Sequence, residues 1–190
     1  MNNHDDSPRH GLRLIRGGRD RPAPDDGSVR VVVATADHPP FDVDGLVLED
    51  DTYFVLGASV EIRESGESPL RVWTELHEAE SADPGDAIFR PGAPPRILAV
   101  VHDLSSDPTW TEAWIANALS ASLDLAGDRG FRSLGLQPLG CFHGRLAPDR
   151  FPVLLRRALE ETEPRTLERI WLVGQPELFD LSSLTDTEER

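Results

Sequence analysis

Cys141 and His143 are the two side chains in this sequence best suited to nucleophilic chemistry. They stand two positions apart in the segment Leu139-Gly140-Cys141-Phe142-His143-Gly144-Arg145-Leu146. A thiol beside an imidazole can be activated as a thiolate. In a tight loop that spacing guarantees no contact, and a lone cysteine is ordinarily a small buried hydrophobe. No catalytic residue is therefore assigned. The same segment supports another chemistry, because Gly140 and Gly144 let backbone N–H groups approach a phosphate closely.

Three other segments carry polar groups at places where ligands collect. Asp37 follows an apolar run and precedes His38-Pro39-Pro40. It suits a turn cap, and equally a carboxylate that accepts a hydrogen bond from a ligand amine. Glu49, Asp50 and Asp51 are three consecutive carboxylates. No partner Asp or His stands at a diagnostic spacing from them, so a solvated acidic loop is expected rather than a cation site. Gly57-Ala58-Ser59 is a weak anion-binding loop or an ordinary helix start, and Glu61 stands where a nucleophile elbow needs its second glycine. His102 ends a buried run and reads as a structural histidine, while His38 and His77 carry no signal.

Composition removes whole classes of function. The 34 acidic residues against 19 basic ones give a net charge of -15, which repels nucleic-acid backbones. All the basic residues are arginine, so there is no lysine for a Schiff base or a P-loop. Cys141 is the single cysteine, which excludes an internal disulfide and a multi-cysteine zinc site. No apolar stretch is long enough to cross a bilayer, and the first residues lack the apolar core of a secretory signal. A cytoplasmic protein without membrane association, cofactor or metal is expected.

The elements that must position these residues follow from hydrophobic period. Residues 1–29 are polar, with five Arg and five Asp, and read as a flexible arm whose Leu12–Leu14–Ile15 patch could dock on the body or on a partner. Val29 to Ala36 is a β-branched run expected to form a strand covered on both faces. Val43 to Leu48 reads as a second strand, followed by a loop from Glu49 to Val60. Short helices are expected in Tyr53 to Ser65 and Pro69 to Glu80, and strands in Asp86 to Phe89 and Arg96 to Asp103. A long helix follows, with Asp107 before Pro108 as its N-cap and Gly130 as its terminator. Ile115, Ala118, Leu119, Ser122, Leu123 and Ala126 form its buried stripe. Strand Ser133–Leu136, the loop 137–148, helix Phe151–Glu161 and strand Arg169–Val173 complete the pattern. This alternation predicts a three-layer α/β/α sandwich around a mixed, largely parallel central sheet. The domain spans 30–180, and 181–190 form an acidic tail.

In order and spacing, these pieces resemble a macro domain. The segments are Ala36-Asp37 with Asp42-Val43-Asp44-Gly45-Leu46-Val47, then Pro84 to Gly92 with the strand through His102, then Trp114 to Asp128 with Phe131 to Leu134 and the loop from Leu139. The resemblance covers Arg30 to about Leu178. It implies binding of ADP-ribose or a related nucleotide, with Asp37 at the adenine. Gly57, Ala58, Ser59 and Val60 would form the first phosphate loop, and Gly140, Cys141, Phe142, His143 and Gly144 the second. The hydrolytic relatives' Asn-Ala-Ala-Asn run is replaced by Leu48, Glu49, Asp50 and Asp51, which sets three carboxylates toward the ribose region. Phe142 stands in a loop where the family is usually glycine-rich, so it either stacks on a ligand or plugs the groove. The expected function is thus a non-hydrolytic nucleotide-binding module. The alternatives are an interaction module with a closed groove, meeting a protein through its acidic surface or arm, and a divergent ADP-ribosyl hydrolase using Asp51 or His143.

Overall fold

A computed structural model describes residues 13–16, 29–56, 81–162 and 166–179. Its strands and helices, in chain order, are β1 (Arg13–Arg16), β2 (Arg30–Ala34), β3 (Gly45–Asp51), β4 (Ala87–Arg90), β5 (Arg96–His102), α1 (Glu112–Asp128), β6 (Ser133–Leu136), α2 (Arg150–Thr162) and β7 (Arg169–Val173). A short 3-10 turn, Pro176–Leu178, follows β7.

The sheet order is β1-β2-β7-β6-β3-β5-β4. All neighbours are parallel except the edge strand β4, which runs antiparallel to β5. Its β-branched centre explains β2: Val31, Val32 and Val33 are all buried, as a strand covered on both faces requires. Strand β1 lies within the segment read from sequence as an arm, and it pairs with β2 from Arg13↔Arg30 to Arg16↔Val33. The molecule is a three-layer α/β/α sandwich around this mixed, largely parallel sheet.

One helical layer consists of α1 and α2, which pack against each other, with α1 over β4 and β5. The expected stripe of α1 is buried at all six positions, Ile115, Ala118, Leu119, Ser122, Leu123 and Ala126. With Val31, Val33, Val47, Ile97, Ala99 and Leu155 the apolar members of this stripe, all but Ser122, form the main core. A smaller cluster of Phe54, Leu98 and Val100 sits apart from it, with Leu48 and Ile88 packed against it. At the end of α1, Gly130 has a positive φ of +68° and its N–H bonds the Gly127 carbonyl at 2.9 Å.

The start of α1 differs from expectation. Thr111, not Asp107, is the N-cap, and its hydroxyl accepts the Trp114 N–H at 3.2 Å. Asp107-Pro108 lies in the turn before it. The Asp-Pro pair satisfies the general preference for a cap, but the Thr111 hydroxyl three residues before a free N–H does so with the chain already in place. Residues 55–56 are helical, as expected of the Tyr53–Ser65 segment, but 57–80 lie outside the described residues. So do Gly57, Ala58, Ser59 and Val60.

The larger correction concerns β3. It runs on to Asp51, so Glu49, Asp50 and Asp51 are the end of a central strand and not a solvated loop. All three are buried. Buried carboxylates need donors. Glu49 meets N–H groups and imidazoles from distant segments, while Asp50 and Asp51 accept N–H groups of the chain that directly follows them. No helix among the described residues is long and apolar enough to cross a membrane.

Candidate functional site

Strands β3 and β6 are neighbours whose connections diverge, since β3 leads on toward β5 while β6 leads to β7 on the opposite side. In a parallel sheet, that divergence opens a crevice at the carboxyl ends of the two strands. The pairing of β3 with β6 ends at Val47↔Leu136. Beyond it the Gln137 N–H reaches the Val47 carbonyl at 3.1 Å, and the Gln137 side chain accepts the Glu49 N–H at 3.3 Å. The last residues of β3 therefore face the loop after β6 and no longer a strand.

Glu49 fills that gap. Its Oε2 accepts the Gly140 N–H at 2.6 Å. Its Oε1 accepts the His143 N–H at 3.1 Å and lies 2.6 Å from His143 Nδ1. The same Oε1 is 3.1 Å from Nε2 of His102. A nitrogen that bonds a carboxylate must carry the proton, so Nε2 of His102 and Nδ1 of His143 are the protonated ring atoms. Burial works against the Glu49 charge, but the hydrogen bonds from His102, Gly140 and His143 outweigh it and hold the carboxyl below its usual range.

A bulge brings His102 to this face. β3 and β5 pair one to one from Leu46↔Arg96 to Asp50↔Val100, and then Asp51 stands opposite His102. Val101 is the additional residue. In unbroken register His102 would emerge on the opposite side of the sheet from Glu49, whose partner is Ala99. The side chains of Glu49 and His102 are 1% and 3% exposed, while that of His143 is 54% exposed. The imidazole rings are nearly perpendicular, with centroids 6.2 Å apart.

The loop of residues 140–144 is shaped by packing as much as by any ligand. Gly140 has φ of +76°, and a Cβ there would run into Cδ1 of Ile115. Gly144 lies against the backbone of Gly140, with no space for a side chain. The Cys141 N–H bonds the Pro138 carbonyl at 3.1 Å. With Gly140 and His143 taken by Glu49, three of the loop's five N–H groups thus have protein acceptors. An acidic side chain already sits where the loop would receive an anion.

The remaining residues singled out from sequence are placed as follows. Asp37 is exposed, in the turn after β2. Phe142 is 60% exposed and does not fill the groove. Cys141 is half-buried, and burial together with the Glu49 charge pushes its thiol up to about 11, so it is no thiolate at neutral pH. His143 turns its Nδ1 to Glu49, which removes the thiol–imidazole reading.

Asp51 does not face the ribose region as expected. It caps the chain after β3 instead, its carboxylate accepting N–H groups from Tyr53 at 2.8 Å, Val55 at 3.0 Å and Leu56 at 2.9 Å. It has no access to a water to activate. Asp50 is buried as well and accepts the Asp51 N–H at 2.9 Å. The site residues that sequence reasoning missed are Glu49 and His102. They stand 53 positions apart, and only the register of the sheet joins them.

No protein-family model and no curated protein sequence matches the chain. Solved structures do. The macro domain of ganglioside-induced differentiation-associated protein 2 superposes with a TM-score of 0.56 at 15% identity, covering 84% of each chain. The DarG macrodomain of Mycobacterium tuberculosis gives 0.57 at 14% identity, over 78% of this chain and 100% of that one. A variant of the Oceanobacillus iheyensis macrodomain, solved with ADPR, gives 0.53 at 14% identity, over 77% of this chain and 85% of that one. At such identities the likeness fixes architecture: this chain has the macrodomain fold.

Proposed function

We propose that the chain binds a nucleotide of the ADP-ribose class at the carboxyl edge of its sheet. The observation that carries this reading is topological. The loops leaving β2, β3 and β6 exit the same edge, and the divergence between β3 and β6 opens there. Asp37, the loop 140–144 and the exposed ring of Phe142 all belong to that edge. A structural neighbour solved with ADPR supports the ligand class.

Glu49 limits the affinity. An incoming diphosphate must either displace its carboxylate from the Gly140 and His143 N–H groups or lie beside a negative charge. Micromolar rather than nanomolar binding is expected. Calorimetric titration of the full chain with ADP-ribose, in chelator and with ATP alongside, tests this. Saturable binding that Asp37→Ala removes supports the reading, and absence of heat at millimolar ligand overturns it.

A second reading, hydrolysis of an ADP-ribose linkage, is favoured by one observation. His143 is oriented by the buried Glu49 and keeps half its ring in solvent, the arrangement of an imidazole base. Release of ADP-ribose from a modified protein, lost in His143→Ala, is its test.

A further inference from the structure

We propose that Glu49, His102 and His143 form a binding site for one divalent transition-metal ion of the zinc class, open to solvent on the His143 side. This goes beyond nucleotide binding and does not depend on it.

The argument starts from the donor set. Two imidazoles and one carboxylate from three separate segments converge, and their ligand atoms all lie within 4.8 Å of one another. Oε1 of Glu49 is 3.1 Å from Nε2 of His102 and 2.6 Å from Nδ1 of His143. Two nitrogens that already meet at one carboxylate oxygen need little rearrangement to meet at one ion. Each imidazole then offers the same nitrogen as a lone pair, its proton having moved to the other ring nitrogen or to solvent.

The surroundings are those of a prepared site. A ligating carboxylate is normally held in place by hydrogen bonds from its neighbours, and Glu49 is held by the Gly140 and His143 N–H groups. Glu49 and His102 are shielded from water, whereas the exposed His143 leaves room for a further ligand. Three protein ligands with an open position is the pattern of a reactive rather than a structural zinc site. Imidazole donors select zinc, cobalt or nickel over magnesium or calcium, which prefer oxygen cages.

Charge gives the site a purpose. The chain carries a net charge of -15 and has no lysine, and two N–H groups of the anion-binding loop are occupied by Glu49. A bound dication supplies a positive centre at this edge, facing whatever anion enters the crevice.

The test uses the untagged full chain, stripped with chelator and dialysed. Zinc is titrated by calorimetry and cobalt by its visible d–d bands, both without nucleotide. The expected result is one ion per chain, with cobalt bands of a tetrahedral or five-coordinate site. Affinity should fall at least ~10-fold in His143→Ala and further in Glu49→Gln. Because His143 is exposed on a loop, His143→Ala should fold normally, and an unchanged melting temperature in chelator verifies that. Zinc binding that is absent, or equally strong in both variants, overturns the proposal. Magnesium or calcium binding at the same stoichiometry in place of zinc overturns the metal class. A failure of nucleotide binding leaves these metal titrations unaffected, since they contain no nucleotide.

Discussion

Glu49 holds His143 twice, by the backbone N–H at 3.1 Å and by ring Nδ1 at 2.6 Å. A residue of a central strand thereby fixes both the position of a loop and the direction of its imidazole. The same carboxylate reaches Gly140 and His102, so one side chain ties β3, β5 and the segment after β6 together.

Removing its charge should weaken the fold. In Glu49→Gln the amide retains one good acceptor for a set of donors that now meets two oxygens, and one N–H then faces other N–H groups. A loss of about 1–3 kcal/mol is expected for the metal-free protein. Urea unfolding in chelator measures it, and an unchanged midpoint would show that these hydrogen bonds contribute nothing net.

Gly140→Ala should cost more. The left-handed backbone and the collision with Ile115 add, giving about 2–4 kcal/mol. Shortening the obstacle relieves only the second part, so Ile115→Val combined with Gly140→Ala should be less destabilising than the sum of the two single changes. Strict additivity in denaturation would mean that Ile115 is not what the new methyl meets.

Asp44 should contribute acid sensitivity. Its Oδ2 accepts the Arg132 and Ser133 N–H groups, both at 2.8 Å, and the Ser133 hydroxyl at 3.0 Å. Burial pushes its carboxyl up, but these hydrogen bonds prevail and its pKa is lowered. A group with a lowered folded pKa stabilises above the unfolded value, near 3.9, and loses that stabilisation as pH falls through the folded one. Asp44→Asn should therefore cost up to about 1 kcal/mol at neutral pH, limited by solvent screening. Below about pH 4 the difference from wild type should shrink. A difference that grows on acidification would reverse the assignment.

Phe142→Ala should leave stability within about 0.5 kcal/mol, because the ring is mostly in solvent. If a base or ribose stacks on it, nucleotide affinity falls while the melting temperature stays. A large drop in melting temperature would instead mean that the ring is part of the core.

Much of the architecture is legible in the residues. β6 and β7 begin and end where β-branched and apolar patterning places them, and Gly130 stops α1 as a C-terminal glycine should. The site is far less legible. Runs of acid read as solvated surface, and nothing local announces that Glu49 will be met by N–H groups 91 and 94 residues away. His102 looks like the plain end of a strand, because its partner is set by sheet register. Thr111 was a readable cap, overshadowed by the more familiar Asp-Pro pair four residues earlier.

The bulge at Val101 makes the chemistry of this edge depend on the length of the chain rather than on the kind of residue. Two strands that share a register assign each side chain to a face by counting, and one additional residue reverses the parity of everything after it. Deleting Val101 would restore one-to-one pairing and leave His102 opposite Asp51 on the Glu49 face, whereas pairing Val101 itself with Asp51 would carry His102 across the sheet and away from Glu49. The constellation thus depends on which residue of β5 is left unpaired, with every donor atom unchanged.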